Sequence, residues 1–459
     1  MFKLREVFVL ILSVLLGLCL SGNAGPASAQ QTAHPSAKAD SNDPDFLTAV
    51  DEVLKDMSDI TGWQLKSSLK KSIRSREQIH AYVLQQMNDE KDAKERYASA
   101  RTAEAFGLIP KGFDLDSFLV DLLTEQIAGL YDPKAHEFYI AAWIAPDEQR
   151  MVMSHELTHA LQDQYFHIED WAHAARPNDD AELARESVLE GSAMVGMLEY
   201  ELRDKGLKLK DLPDFDPSIF VGDLADTPML KKAPPFLKDS LLFPYFSGLT
   251  FSLSVVRTEG WKGFDGVFAK PPTGTQQIMH PSLYRAGKTP APLKLELPDG
   301  VPANGWSKLE ENTMGEFGWK EILKQFLDDD RAKRVAAAWD GDDYATFEQK
   351  ESKQLMVFAR MRFDGEATAS RFFGAYADDL AKRYGDAKDS IKGAQFLGLA
   401  SPDGFVTLRC VDKDCITTLG ADLGTVSKWT QKLGWPAAAT GSQTTARTAN
   451  RTSVVVDAQ

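Results

Sequence analysis

From Pro146 to Phe166 the chain reads PDEQRMVMSHELTHALQDQYF, and once Pro146 and Asp147 have opened it the run holds neither Gly nor Pro. Proline is tolerated in a first helical turn, and Met153, Leu157, Ala160 and Leu161 recur at helical spacing as one apolar stripe, so the segment predicts a helix. Inside it stands His155-Glu156-Leu157-Thr158-His159. Residues i and i+4 of a helix share a face one turn apart, which lets both imidazoles grip a single cation. Glu156 is rotated off that line, beside the place a water would take, and is suited to accept a proton. Residue frequencies in this composition give on the order of one accidental match per hundred chains of this length.

Neutral imidazole nitrogens favour zinc at about 2.0–2.1 Å, and a catalytic zinc takes three protein ligands and leaves the fourth position to water. A third ligand is therefore required. A metzincin would place Gly three residues and His six residues after the second His, where this chain has Gln162 and Tyr165, so that class is disfavoured. His167 and His173 follow the helix too closely to be preferred. Downstream, RESVLEGSA sets Glu186 and Glu190 one turn apart on a second predicted helix, from about Ala181 to Leu202, and either carboxylate completes a His-His-Glu set.

HELTHALQDQ followed by VLEGSA resembles the gluzincin metallopeptidases, whose aminopeptidase N-like members carry the third ligand in an Asn-Glu-Gly sequence. The wider run GLYDPKAHEFYIA, HELTHALQDQYF, VLEGSA, FPYFSGLTF and PPTGTQQIMHPSLY is similar to a group of exported bacterial zinc-peptidase-like proteins. The likeness spans about residues 120 to 290 and extends more loosely beyond. It implies one zinc per chain on His155, His159 and Glu190, with Glu156 as general base for peptide-bond hydrolysis. Leu189 departs from the Asn of that sequence, and His159 lies further from Glu190 than in thermolysin-like members. Glu186 therefore stays as a supporting partner or alternative ligand. Tyr245 in FPYFSG and His280 in IMHPSLY are types that steady a developing oxyanion in gluzincins, and are candidate catalytic donors. Their plain alternatives are a buried aromatic and a loop-capping His.

Before the zinc helix, Glu125 to Ala142 alternates around Asp132-Pro133 and reads as a hairpin. The resemblance likens it to a sheet edge that receives an extended peptide. Residues 46 to about 106 show apolar positions at helical spacing and predict two or three helices. Leu241 to Val256 is apolar but interrupted by Pro244, Ser247 and Gly248, which suits a buried helix rather than a membrane span. Pro290 to Pro302 marks a boundary near residue 300. Beyond it, helical patterns at Glu316 to Leu327, Arg331 to Trp339 and Ala367 to Arg383 mingle with strand-like Tyr344 to Glu348, Leu355 to Arg362, Gln395 to Ala400 and Phe405 to Thr418. The Asp-rich Trp339 to Asp343 lacks the spacing and terminal Glu of a calcium loop and reads as a solvated turn.

The fold expected is α+β: a mostly helical, zincin-like peptidase domain with a small edge sheet over residues 45–300, then a small α+β domain over 301–436. Lys3 and Arg5 precede the apolar run Val7 to Leu20 and Ala27-Ser28-Ala29, so residues 1–29 read as a signal peptide. Its apolar run is too short to span a bilayer. Residues 30–44 read as a flexible lead-in and 437–459 as a disordered tail. Export exposes Cys410 and Cys415 to an oxidising space, where they are expected to bridge across a short hairpin.

The chain of 459 residues carries a formal charge of -15, which excludes nucleic acid and anionic lipid as bulk partners. The expected function is a periplasmic or extracellular zinc metallopeptidase acting on peptide or protein substrates, with no stable membrane insertion after cleavage. The alternatives are a catalytically silent zinc-containing binding module, and a zinc amidase acting on a non-peptide or cell-wall amide with the same groups.

Overall fold

The computed structural model describes residues 43–436 apart from 89, 214, 216–226, 304, 386–389, 394 and 403. The expected signal peptide, nearly all of the lead-in and the tail lie outside the described residues. The fold is mixed α+β, and the chain divides into two units. The first holds the described residues up to Pro292 together with Glu310–Ile322, and the second holds Leu293–Leu309 and the chain from Leu323 onward. No described helix is long and apolar enough to cross a membrane.

The first unit opens with α1 (Pro44–Thr61), β1 (Lys70–Arg74), α2 (Arg76–Met87), α3 (Glu90–Phe106) and α4 (Leu115–Gln126). Where two or three helices were expected up to about residue 106, three are present, but β1 escaped the sequence reading because KKSIR has no polar-apolar alternation. Next come β2 (Gly129–Asp132), β3 (Glu137–Ala141), α5 (Pro146–Phe166), α6 (Ile168–His173), α7 (Asp179–Asp204), α8 (Pro228–Lys232), α9 (Pro235–Ala269), α10 (Thr275–Met279) and α11 (Pro281–Arg285). β2 and β3 form the expected hairpin, and β1 joins β3 in parallel to make the order β1-β3-β2.

Helix α7 packs against both α5 and α9, and almost every residue from Asp179 to Leu198 is buried. A helix buried all round needs a close neighbour on each side. That closeness is obtained at glycine: a Cβ on Gly191 would overlap the backbone of Gly248, and one on Gly248 would overlap the Ser187 carbonyl. The α7 start is held by the Asn178 side chain, which accepts from the Ala181 N–H at 2.9 Å. Beside it Asp180 accepts from the Thr275 N–H at 3.2 Å and hydroxyl at 2.5 Å.

Seven strands form one sheet in the order β4-β5-β6-β10-β9-β8-β7, and all of them but the end of β4 belong to the second unit. They are β4 (Trp306–Asn312), β5 (Trp339–Gln349), β6 (Leu355–Phe363), β7 (Ser390–Gly393), β8 (Phe396–Ser401), β9 (Gly404–Val411) and β10 (Asp414–Ala421). Helices α12 (Gly315–Lys324), α13 (Asp329–Ala336), α14 (Glu366–Tyr384) and α15 (Leu423–Lys432) complete the chain. Cys410 and Cys415 oppose one another on β9 and β10 and are joined by the expected disulfide, with Ala369 of α14 near both sulfurs. Ile416 points to the other face, as strand alternation requires, and packs with Phe358 and Trp429.

Two expectations are corrected. The boundary falls at 292/293 rather than near 300, because Trp429 donates its indole N–H to the Leu295 carbonyl at 2.9 Å and Leu295 joins the second core. Residues 310–322 return to the first unit, where Phe317 lies 4.3 Å from Phe243 and Trp319 lies 6.0 Å from Phe106, ring centre to ring centre. The Asp-rich stretch is no solvated turn but the start of β5, bulged between Trp339 and Gly341. Asp342 is buried because the Trp339 indole donates to it at 2.8 Å, and Asp343 accepts from the Leu295 N–H at 2.9 Å.

Gly191→Ala is expected to destabilise the first unit by about 1–3 kcal/mol or more, read as a lowered urea midpoint. Burial pushes Asp180 up to about 6, the Thr275 hydrogen bonds pull it back, and the Glu316 charge adds to the rise. A carboxyl whose folded pKa is raised contributes stability present below its unfolded value and lost as the pH rises through the folded one. Between pH 4 and 7 this group should cost about 3 kcal/mol, and Asp180→Asn should flatten that slope in pH-dependent denaturation.

Candidate metal centre

Helix α5 is buried on every side from Met151 to Asp163, so its polar face is inside the molecule along with its apolar stripe. Polar groups tolerate this only when paired. On that face His155 and His159 stand one turn apart with Nε2 atoms 3.2 Å from one another. Opposite them, α7 brings Glu190 Oε2 to 3.1 Å from His155 Nε2 and 3.5 Å from His159 Nε2. Among the described residues this is the one group of three whose ligand atoms cluster closely enough to hold a metal ion. Glu186, one turn before Glu190, is buried but stands outside it.

The donor set fits a small divalent ion. Ligands about 2.0–2.2 Å from one tetrahedral centre lie roughly 3.3–3.6 Å from each other, close to the three separations found here. The remaining nitrogen of His155, Nδ1, is buried without a hydrogen-bond partner, whereas His159 Nδ1 lies 3.0 Å from Gln162 Oε1. Burial works against a charged His159, but the carboxylates of Glu190 and Glu156 and its hydrogen bonds outweigh it and hold the imidazole up to about 9. Burial likewise opposes the Glu190 carboxylate, yet the histidines keep it down to about 2.

Glu156 lies on the neighbouring face of α5, and its Oε2 accepts from the Tyr131 N–H of β2 at 3.0 Å. The Tyr131 hydroxyl donates to Asp163 Oδ2 at 2.7 Å, so one tyrosine fastens the hairpin to α5 at two points two turns apart. A Cβ on Gly129 would overlap Val152, which keeps β2 against the helix. All of β2 is buried. The edge expected to receive an extended peptide is therefore turned toward α5, with one of its outward N–H groups already accepted by Glu156.

Tyr245, from α9, stacks on His155 with ring centres 6.2 Å apart. His280 joins a different pair: its Nε2 lies 2.8 Å from Glu316 Oε1, and that hydrogen bond raises its pKa. Of the residues proposed from sequence, His155, Glu156, His159, Glu190 and Tyr245 come together, while the structure gives His280 to Glu316. Gln162 and Tyr131 were missed as site residues, although the three-residue step from His159 to Gln162 marks a shared helix face.

A family model, Domain of unknown function (DUF8575), matches residues 304–411. That stretch runs from β4 into β9 and contains none of the residues of the metal centre. No curated protein and no solved structure matches the chain. Titration with Zn²⁺ should separate the two acidic candidates: Glu190→Gln is expected to weaken binding by more than about 100-fold, and Glu186→Gln to leave it within about threefold.

Proposed function

We propose that the chain is an exported zinc-dependent metallopeptidase that hydrolyses peptide bonds. The observation that supports this reading most is the convergence of His155, His159 and Glu190 with a fourth group, Glu156, held beside them by the Tyr131 N–H. A purely structural cation has no use for that additional carboxylate. His155, His159 and Glu190 would hold the zinc, which when bound supplies Lewis-acid polarisation of a carbonyl and of a water. Glu156 would take the proton of the attacking water at a carboxylate oxygen and hand it to the departing amine. Tyr245, buried and stacked on His155, would be the aromatic neighbour nearest to offer a phenol to a developing oxyanion. The likeness of HELTHALQDQ and VLEGSA to gluzincins supports the same roles, and Lys3 to Ala29 supports export.

One observation favours a second reading. His155, Glu156, His159, Glu190 and Tyr245 are 2%, 3%, 1%, 4% and 2% exposed, a degree of burial that also suits a silent zinc-containing module. Glu156→Gln divides the two. In a peptidase it should lower kcat/KM on a broad peptide library by about 10²–10⁴-fold while zinc content stays unchanged. A zinc-loaded wild-type chain with no Glu156-dependent cleavage would establish the silent module.

A further inference from the structure

The two histidines of the centre are held differently. His159 Nδ1 faces Gln162 Oε1 at 3.0 Å, and Gln162 Nε2 donates to Ser192 Oγ at 2.8 Å. Ser192 Oγ in turn donates to the Val188 carbonyl at 2.6 Å. The direction of this chain is fixed from its far end. The Ser192 proton is directed to Val188, so its oxygen is free to accept, which commits the Gln162 amide nitrogen to Ser192 and turns the amide oxygen to His159. A carbonyl oxygen accepts only, so His159 carries a proton on Nδ1, which leaves Nε2 as the nitrogen turned toward Glu190 and His155 and able to take a cation. His159, Gln162 and Ser192 are 1%, 0% and 0% exposed, so water does not compete for any of these bonds. His155 has no such support, since its Nδ1 is buried without a partner.

We propose that Gln162 is a positioning residue that fixes the tautomer and aim of His159, making it the pre-set ligand of the centre, with Ser192 as the anchor on the opposite helix. The proposal rests on the metal reading of the site and deepens it. Ser192 lies two residues after Glu190 on α7, and Gln162 three after His159 on α5. The relay therefore also ties together the helices that carry the nitrogen and oxygen donors. Groups that hold the free nitrogen of a metal-binding imidazole typically govern metal affinity by about 10–100-fold.

The test uses the full chain, a chromophoric zinc chelator as competitor, and ¹⁵N-histidine NMR of the metal-free protein. Gln162→Leu, which keeps the bulk and removes the acceptor, should weaken zinc by about 10–100-fold and abolish a slowly exchanging His159 Nδ1 proton. Gln162→Glu, whose carboxylate accepts from His159 and takes the Ser192 hydroxyl on its other oxygen once that proton turns from the Val188 carbonyl, should keep the Nδ1 proton and bind zinc within about threefold of wild type. Should Gln162→Leu fail to fold, Ser192→Ala should weaken zinc several-fold and speed exchange of the same proton. Wild-type zinc affinity in Gln162→Leu overturns the proposal, as does equal weakening by Leu and Glu, which would mark a packing role. A wild-type chain that takes up no zinc overturns both this proposal and the metal reading. Zinc lost in Gln162→Leu beside a wild type with no peptidase activity supports the positioning role and overturns only the peptidase.

Discussion

Two imidazole nitrogens and a carboxylate oxygen meet at separations of 3.1 to 3.5 Å where solvent barely reaches. Such a meeting is unfavourable unless a positive charge sits among the lone pairs, because buried donors and acceptors without partners lose their hydration and gain nothing in return. Against the cost of burial, the Glu190 carboxylate and its hydrogen bonds hold the His159 imidazole up, and the histidines hold the Glu190 carboxyl down. The surrounding architecture serves the same end. Helices α5 and α7 turn polar faces inward, Tyr131 secures Glu156, and Tyr245 covers His155.

Much of this was legible in the sequence because it is local. A five-residue motif on a segment free of helix breakers places His155, Glu156 and His159 without any tertiary knowledge. Glu190 required a contact between helices, which sequence narrows to Glu186 or Glu190 but cannot resolve, since both lie on one face of α7. The structure favours Glu190 because the α5 and α7 axes bring that turn, rather than the preceding one, opposite the histidines. Tyr245 and His280 came from chemical type alone, and the structure separates them, placing one on His155 and the other on Glu316. Gln162 was read only as a departure from one peptidase class. Its part in the site depends on Ser192, 30 residues away.

The second unit shows the opposite balance. Its central strands and the disulfide hairpin were readable from alternation and from the paired cysteines, whereas β4, β7 and α15 were not. β4 and β7 are edge strands with a mixed burial pattern, and α15 is organised by Trp429 reaching a distant carbonyl. The boundary was misplaced for a related reason. Proline marks where regular structure stops, not to which core the next segment returns, and Phe317 and Trp319 decide that by packing.

Glu190 and Gly191 are consecutive, so the turn that delivers the oxygen donor is also the turn at which α7 and α9 touch backbone to backbone. The phase of α7 about its own axis is thereby set twice over. Inserting a single residue between the two would rotate one by about 100° relative to the other, so that either the carboxylate leaves the histidines or the glycine leaves its partner. Length changes in α7 are consequently confined to its two ends, and the carboxylate and the crossing can change only together.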